Sequence, residues 1–96
     1  MALLLAGCGP TDSEQACLDT ADALASSAQR CGLDYQVNFD VFVDVAAGGD
    51  CANITAIRDQ GALYDECIPF FRSLSCEQLN DPTIQVPEGC KAQFQR

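Results

Sequence analysis

Seven cysteines in a chain of 96 residues constrain the fold of this protein more than any other feature. A chain of this length buries only about 60–65% of the surface that its unfolded form exposes, so its core alone gives marginal stability. Disulfides or a structural metal usually supplement so small a core. The sequence has no histidine and no cysteine pair with the close spacing of a zinc site. We therefore expect disulfides, and neither a metal nor another cofactor.

The cysteine count is odd, and the first cysteine stands apart from the others. Cys8 follows a short apolar start, whereas the remaining cysteines are spread through the rest of the chain: Cys17, Cys31, Cys51, Cys67, Cys76 and Cys90. An odd cysteine in an exported protein calls for an intermolecular bridge, a free thiol or a modification. Because the other six can form three disulfides, Cys8 is the one that we expect outside them.

The opening residues, MALLLAGC, are too short to cross a bilayer, which takes about 20 apolar residues. Leu5, Ala6, Gly7 and Cys8 match the processing motif of bacterial lipoproteins, and the start of the chain resembles the end of a lipoprotein signal peptide. The resemblance implies that residues 1–7 are removed and that Cys8 carries acyl chains. Two or more acyl chains give stable membrane anchoring, whereas one chain is marginal.

The same resemblance implies a destination at the cell envelope. In lipoproteins of bacteria with two membranes, an Asp directly after the modified cysteine favours the inner membrane. This chain has Gly9 there, so we expect the outer membrane. No Lys or Arg precedes Cys8, and Ala2–Gly7 falls short of the apolar stretch of about 7–15 residues in a complete signal peptide. We therefore expect the complete signal peptide to begin upstream of Met1.

The remainder of the chain is acidic, with 14 Asp and Glu against 5 Lys and Arg and a net charge of −9. The cations are dispersed and form no cluster: Arg30, Arg58, Arg72, Lys91 and Arg96. Binding to nucleic acid, or electrostatic docking to anionic lipid, requires clustered cations and is not expected. We interpret the acidity as a solvated surface and expect a monomer.

Residues 13–30 give the clearest prediction of a helix, with Ser13 or Asp12 as its N-cap. Alanine is frequent there, and neither Pro nor Gly interrupts the pattern. Cys17 and Cys31 share one face of this helix, about 21 Å apart along its axis. They therefore cannot bond to each other, and each must reach a different element.

Residues 36–47 fit two patterns. The valines alternate with polar residues as in a strand, whereas Phe39, Phe42 and Val43 make a helical face. No other stretch offers a partner strand, and two glycines follow as a terminator. We therefore predict a helix over 38–47, with Asn38 as its cap.

Asp59 is predicted to cap a third helix that extends to about Ser73. Pro69 lies inside it, lacks an N–H group and clashes with the carbonyl of Asp65. The sequence therefore predicts that the helix kinks at Pro69 or restarts at Ile68.

Ser75 and Gln78 have the spacing of a capping box for one further turn of helix, and an extended loop over 80–89 follows. The predicted fold is all-α, a small three-helix domain with three disulfides. Its parts are a removed signal segment (1–7), a lipidated tether (8–12), the cysteine-rich domain (13–91) and a frayed tail (92–96).

The order of the helices also suggests which cysteines meet. If the second helix runs back along the first, Cys51 arrives near Cys17, and we predict that pair. The other four cysteines leave two solutions open: Cys31–Cys67 with Cys76–Cys90, which we favour, or Cys31–Cys76 with Cys67–Cys90.

No pattern of catalytic residues accompanies this fold. Without histidine there is no histidine-based triad, no serine lies in a nucleophile elbow, and no Gly-rich loop precedes a lysine. We expect a non-enzymatic, lipid-anchored binding module with an unidentified protein target and no nucleic-acid partner. Arg58 and Tyr64 are candidate interaction residues, because these residue types often anchor interfaces. The alternative is a secreted inhibitor or effector that acts through the loop 80–89.

Overall fold

The computed structural model describes residues 11–96 and shows a mostly helical domain with three disulfides, as the sequence predicts. The signal segment and Cys8 lie outside the described residues. The elements are α1 (Asp12–Arg30), α2 (Tyr35–Ala47), a 3-10 turn (Cys51–Asn53), β1 (Ala56–Ile57), α3 (Gln60–Ala62, continuing through Leu63–Cys67 and Ile68–Arg72), α4 (Cys76–Leu79), a second 3-10 turn (Glu88–Cys90) and β2 (Phe94–Gln95).

Helix α1 is the central element, because it packs against a neighbour on each of two faces. Cys17 and Ala21 face α2 in one part of the core, and Ala16 and Ala23 face α3 in the other. The helix begins earlier than predicted. Its N-cap is Thr11, whose hydroxyl accepts a hydrogen bond of 3.1 Å from the backbone N–H of Glu14.

Helix α2 confirms the helical interpretation of residues 38–47 and extends it by three residues toward the N-terminus. Its N-cap is Asp34 and not Asn38, since the Asp34 carboxylate accepts a hydrogen bond of 2.8 Å from the backbone N–H of Val37. The helix ends at Gly48, where φ is +67°, a left-handed conformation that glycine adopts without strain. Val43 and Ala47 are its buried residues.

Helix α3 begins after Asp59, the predicted cap, and accommodates Pro69 through a π-helical turn. Within Leu63–Cys67 the helix widens, and the N–H of Ile68 donates to the carbonyl of Leu63, five residues back. An α-helical segment then restarts at Ile68, which places Pro69 in its first turn, where no N–H is required. The restart was predicted, but the turn that joins the two segments was not.

Hydrogen bonds between α1 and α3 set their relative direction. The Tyr64 hydroxyl donates to Asp19, and further along both helices the Ser27 hydroxyl donates to the carbonyl of Phe71. Residue numbers therefore rise together along the two helices, which lie side by side and parallel.

The disulfides are Cys17–Cys51, Cys31–Cys76 and Cys67–Cys90. The first confirms the prediction, whereas the favoured pairs Cys31–Cys67 and Cys76–Cys90 are wrong. Because α3 is parallel to α1, the C-terminal end of α1 lies near the segment that follows α3, and Cys31 meets Cys76 there. Cys67 lies in the middle of α3, against the middle of α1, and is reached by Cys90.

The predicted frayed tail is also wrong, since the last residues are part of the fold. Strand β2 pairs antiparallel with β1, so that Phe94 lies opposite Ile57, and both side chains contact the two parts of the core. The preceding Gln93 is 1% exposed. Its amide group donates to the carbonyl of Gly89 at 2.7 Å and accepts from the N–H of Asp59 at 2.8 Å.

Reduction of the disulfides is expected to abolish the cooperative unfolding transition. The three bridges close loops of 34, 45 and 23 residues, and each contributes about 3–4 kcal/mol by restricting the unfolded chain. Their sum is comparable to the whole stability of a small domain. Thermal unfolding followed by circular dichroism, with and without strong reductant, measures this. A melting curve that reductant leaves unchanged contradicts the prediction.

Candidate functional site

The outer face of α2 carries an exposed row of apolar side chains. Val37 is 57% exposed, Val41 54% and Val45 74%, and Leu33 just before the helix is 47% exposed. In residues 11–96 these four are the large hydrophobic side chains that solvent reaches most freely. Their clustering on one helix marks this face as the candidate site, because apolar patches on small soluble domains commonly form binding surfaces.

A polar row lies beside the valine row (Val37, Val41 and Val45). It contains Gln36, Asp40 and Asp44, all three exposed and each one position before a valine. The amide of Gln36 donates to the carboxylate of Asp40 at 2.9 Å, which orders the row along the helix. The outer face of α2 is therefore half apolar and half acidic.

The cations of the chain are engaged with groups other than Asp40 and Asp44. Arg72 pairs with Asp22 at 3.5 Å, and Lys91 pairs with Glu88 at 3.2 Å. The three remaining arginines donate to backbone carbonyls: Arg30 to Arg72 and Leu74, Arg58 to Lys91 and Glu88, and Arg96 to Val45. Across residues 11–96, Asp40 and Asp44 take part in no ion pair.

Valine is an unfavourable choice for exposed positions of a helix. Its branched side chain loses rotamer freedom against the preceding turn, so that it stabilises a helix less than alanine, leucine or glutamine does. At Val43, which is 7% exposed, packing in the core compensates for this loss of helix stability. At Val45 the domain itself offers little packing in return.

Arg58, one of the two predicted interaction residues, holds the C-terminal segment to the domain. Its Nε donates to the carbonyl of Lys91 at 3.1 Å, and its Nη2 donates to the carbonyl of Glu88 at 3.2 Å. These bonds keep Gly89 against α3, where a Cβ on Gly89 would come within 2.7 Å of the carbonyl oxygen of Ala62.

Tyr64, the other predicted residue, is half-buried and donates its hydroxyl to Asp19 at 2.5 Å. Burial and this hydrogen bond raise the pKa of Tyr64 to about 12. Tyr35 makes the corresponding bond to Asp22, which raises its pKa as well. Both tyrosines thus join other helices to α1. An interaction role for Arg58 and Tyr64 stays a prediction, and the two do not lie on the face of α2.

The first residues of the loop 80–89 are exposed, its last residue Gly89 is buried, and disulfides flank the loop on both sides. Cys76 and Cys90 flank it and bond to Cys31 of α1 and Cys67 of α3. Within the loop, Asp81 accepts hydrogen bonds from the N–H and the hydroxyl of Thr83, which lower the pKa of Asp81. The loop therefore has a defined turn at its start.

Concave sites and clusters of ligating side chains are not found within residues 11–96. In the same part of the chain, none of the helices has the length and hydropathy needed to cross a bilayer. The exposed face of α2 is the surface of a single helix and is suited to contact with another surface.

Comparison with protein-family models, with curated proteins and with solved structures found no match for this chain. The candidate site therefore depends on the geometry of α2 alone. The sequence analysis missed it, although the spacing of Val37, Val41 and Val45 by four residues was visible. Read with the helical period, this spacing places the three valines on a single row.

Replacing Val45 and Val43 by alanine should have opposite effects on stability. Val45→Ala is expected to raise the free energy of unfolding by about 0.5 kcal/mol, since alanine favours the helix and little packing is lost. Val43→Ala is expected to lower it by about 1–2 kcal/mol, because a buried side chain is removed from the core. Denaturant unfolding of both variants measures the difference, and equal losses of stability would show that Val45 packs within the domain.

The ionisation of Tyr64 should be visible as a late step in an alkaline titration. Its folded-state pKa lies above the ordinary value of 10.0, so the bond to Asp19 stabilises the fold fully below pH 10 and loses this effect as the pH rises toward 12. Ultraviolet absorbance of the phenolate should show a component near pH 12 that Tyr64→Phe removes. Ionisation of both tyrosines near pH 10 in the oxidised protein would contradict the assignment.

Proposed function

We propose that this protein is a lipid-anchored component of the bacterial cell envelope and acts as a non-enzymatic binding module. The anchor is attached to Cys8, and the domain formed by residues 11–96 carries the binding surface. The motif Leu5-Ala6-Gly7-Cys8 supports the anchor, and the three disulfides support an oxidising compartment outside the cytoplasm.

The observation that carries the proposal is the complete pairing of the later cysteines. All six cysteines within residues 11–96 bond to one another. The domain thus offers Cys8 no intramolecular partner, and its thiol is left for another reaction. Acylation is the reaction that the surrounding motif specifies in lipoproteins.

The length of the tether determines where the domain lies. The α1 helix begins at Asp12, so the Cα atoms of Cys8 and Asp12 are at most about 14 Å apart. The N-terminal end of α1 is therefore held close to the bilayer surface. Since Cys51, just after α2, bonds to Cys17 near this end, α2 runs away from α1's C-terminal end and toward the anchor.

The loop 80–89 supports a second candidate function. A loop that two disulfides hold at its flanks is presented with little loss of conformational entropy on binding. In this alternative the protein is released and acts on a target as an inhibitor or effector. The two candidates differ in whether Cys8 is acylated.

Metabolic labelling with a palmitate analogue, in cells that express the gene from its own locus, tests the anchor. The wild-type protein should be labelled and sediment with membranes, and Cys8→Ser should lose both properties because the acylated thiol is gone. Gly9→Asp is the matched control. It should keep the label and, in a cell with two membranes, move to the inner membrane. An unlabelled wild-type protein rejects the anchor and favours the released form.

A further inference from the structure

We propose that the outer face of α2 binds a basic amphipathic helix of a partner protein. The valine row would pack against the apolar row of that helix, and Asp40 and Asp44 would pair with its lysines or arginines. The inference rests on the proposed function as a binding module and names the class of partner.

The apolar part of the argument is the exposure of the valine row. Val37, Val41 and Val45 repeat every four residues, so they form a ridge about 12 Å long on a helix that rises 1.5 Å per residue. Ridges of this spacing pack into the grooves between side chains of another helix. A helix is therefore the partner element that matches the shape of this row, and helices presented to apolar surfaces are recognised through such anchors.

The charged part of the argument is that, within residues 11–96, the carboxylates of this face are not paired with any cation. Arg96 meets α2 near its C-terminal end, where its Nη2 donates to the backbone carbonyl of Val45 at 3.0 Å and not to a carboxylate. No ion pair in residues 11–96 includes Asp40 or Asp44. A partner that contacts the valines also contacts these carboxylates, so a basic partner is complementary and an acidic one is repelled.

A second copy of the chain fits the face less well. Each copy carries a net charge of −9, and a twofold contact through the valine row would bring the carboxylates of both copies together. Within residues 11–96, Asp40 and Asp44 have no ion-pair partner that would offset this repulsion.

A lipid surface also fits less well. Interfacial helices carry Lys and Arg on the polar face, where they meet anionic headgroups. Helix α2 carries Asp40 and Asp44 in those positions, and anionic headgroups would repel them. The valines alone would then have to offset that repulsion.

Binding of a synthetic peptide tests the proposal. The probe is an amphipathic peptide of leucine and lysine, about 18 residues or five helical turns long. A peptide of the same composition, permuted to remove the amphipathic pattern, is the reference. The protein is the full oxidised chain with Cys8→Ser, so that no acyl chain contributes. Calorimetric titration should show tighter binding of the amphipathic peptide than of the permuted one.

Two variants measure separately how much the valine row and the carboxylates of Asp40 and Asp44 contribute to binding. The triple variant V37Q/V41Q/V45Q should weaken binding about tenfold or more, because it removes the apolar ridge while glutamine preserves the helix. D40N/D44N should also weaken binding about tenfold and should reduce its dependence on salt. Circular dichroism and thermal unfolding establish that both variants are folded.

A matched control distinguishes binding at this face from the general attraction of a basic peptide to an acidic protein. D65N/E77Q removes the same charge at two exposed carboxylates that lie on α3 and α4. It should change the affinity less than twofold. If it weakens binding as much as D40N/D44N does, the attraction is non-specific and the proposal is overturned.

Further measurements on the same proteins test whether a second copy of the chain or a lipid surface binds this face instead. A dimer of the wild-type chain in sedimentation, dissolved by V37Q/V41Q/V45Q, overturns the proposal in favour of a second copy. Binding to phosphatidylcholine vesicles that the same variant abolishes overturns it in favour of lipid. Equal affinity for the amphipathic and permuted peptides also overturns it. None of these results affects the labelling of Cys8, so the anchor and the partner class fail separately.

Discussion

Helix α1 turns alanines toward both of its neighbours, and this sets how the rest of the chain packs. Ala16, Ala21, Ala23 and Ala28 are fully buried, so the flanking helices approach closely, but each contact removes little apolar area from water. The largest fully buried side chains include the polar ones of Gln93, Thr20 and Ser27. A core of this kind contributes modest hydrophobic stabilisation. The disulfides supply the remainder: two of them link the two ends of α1 to different elements, and the third links α3 to the C-terminal segment.

The same arrangement leaves one helix half exposed. Because α1 is covered by α2 on one face and by α3 on the other, α2 has a neighbour on its inner face, where Val43 and Ala47 are buried. Its outer face is left in contact with solvent or with another molecule. The stability of the domain does not explain the valines found there. They favour the outer face, and not the tyrosines or the loop, as the binding surface.

Features encoded by local sequence could be predicted, whereas those set by long-range contacts could not. The alanine-rich pattern predicted α1, and Asp59 and Pro69 predicted where α3 begins and restarts. The pairing of Cys31 was wrong because it depends on the parallel direction of α3, which no local pattern reports. The C-terminal strand was missed because two residues are too few to show a periodicity. For the candidate site, the spacing was present in the sequence, but only the fold shows which face of α2 is left exposed.

The position of Phe94 has a consequence for the order of events during biosynthesis. Phe94 and Ile57 both contact the two parts of the core, so the packing between these parts is complete only after residue 94 has left the ribosome. Two of the three disulfides also require Cys76 and Cys90, which come late in the chain. The domain therefore completes its fold only when almost the whole chain has been made, since the last disulfide and the last core contact both involve its C-terminal segment.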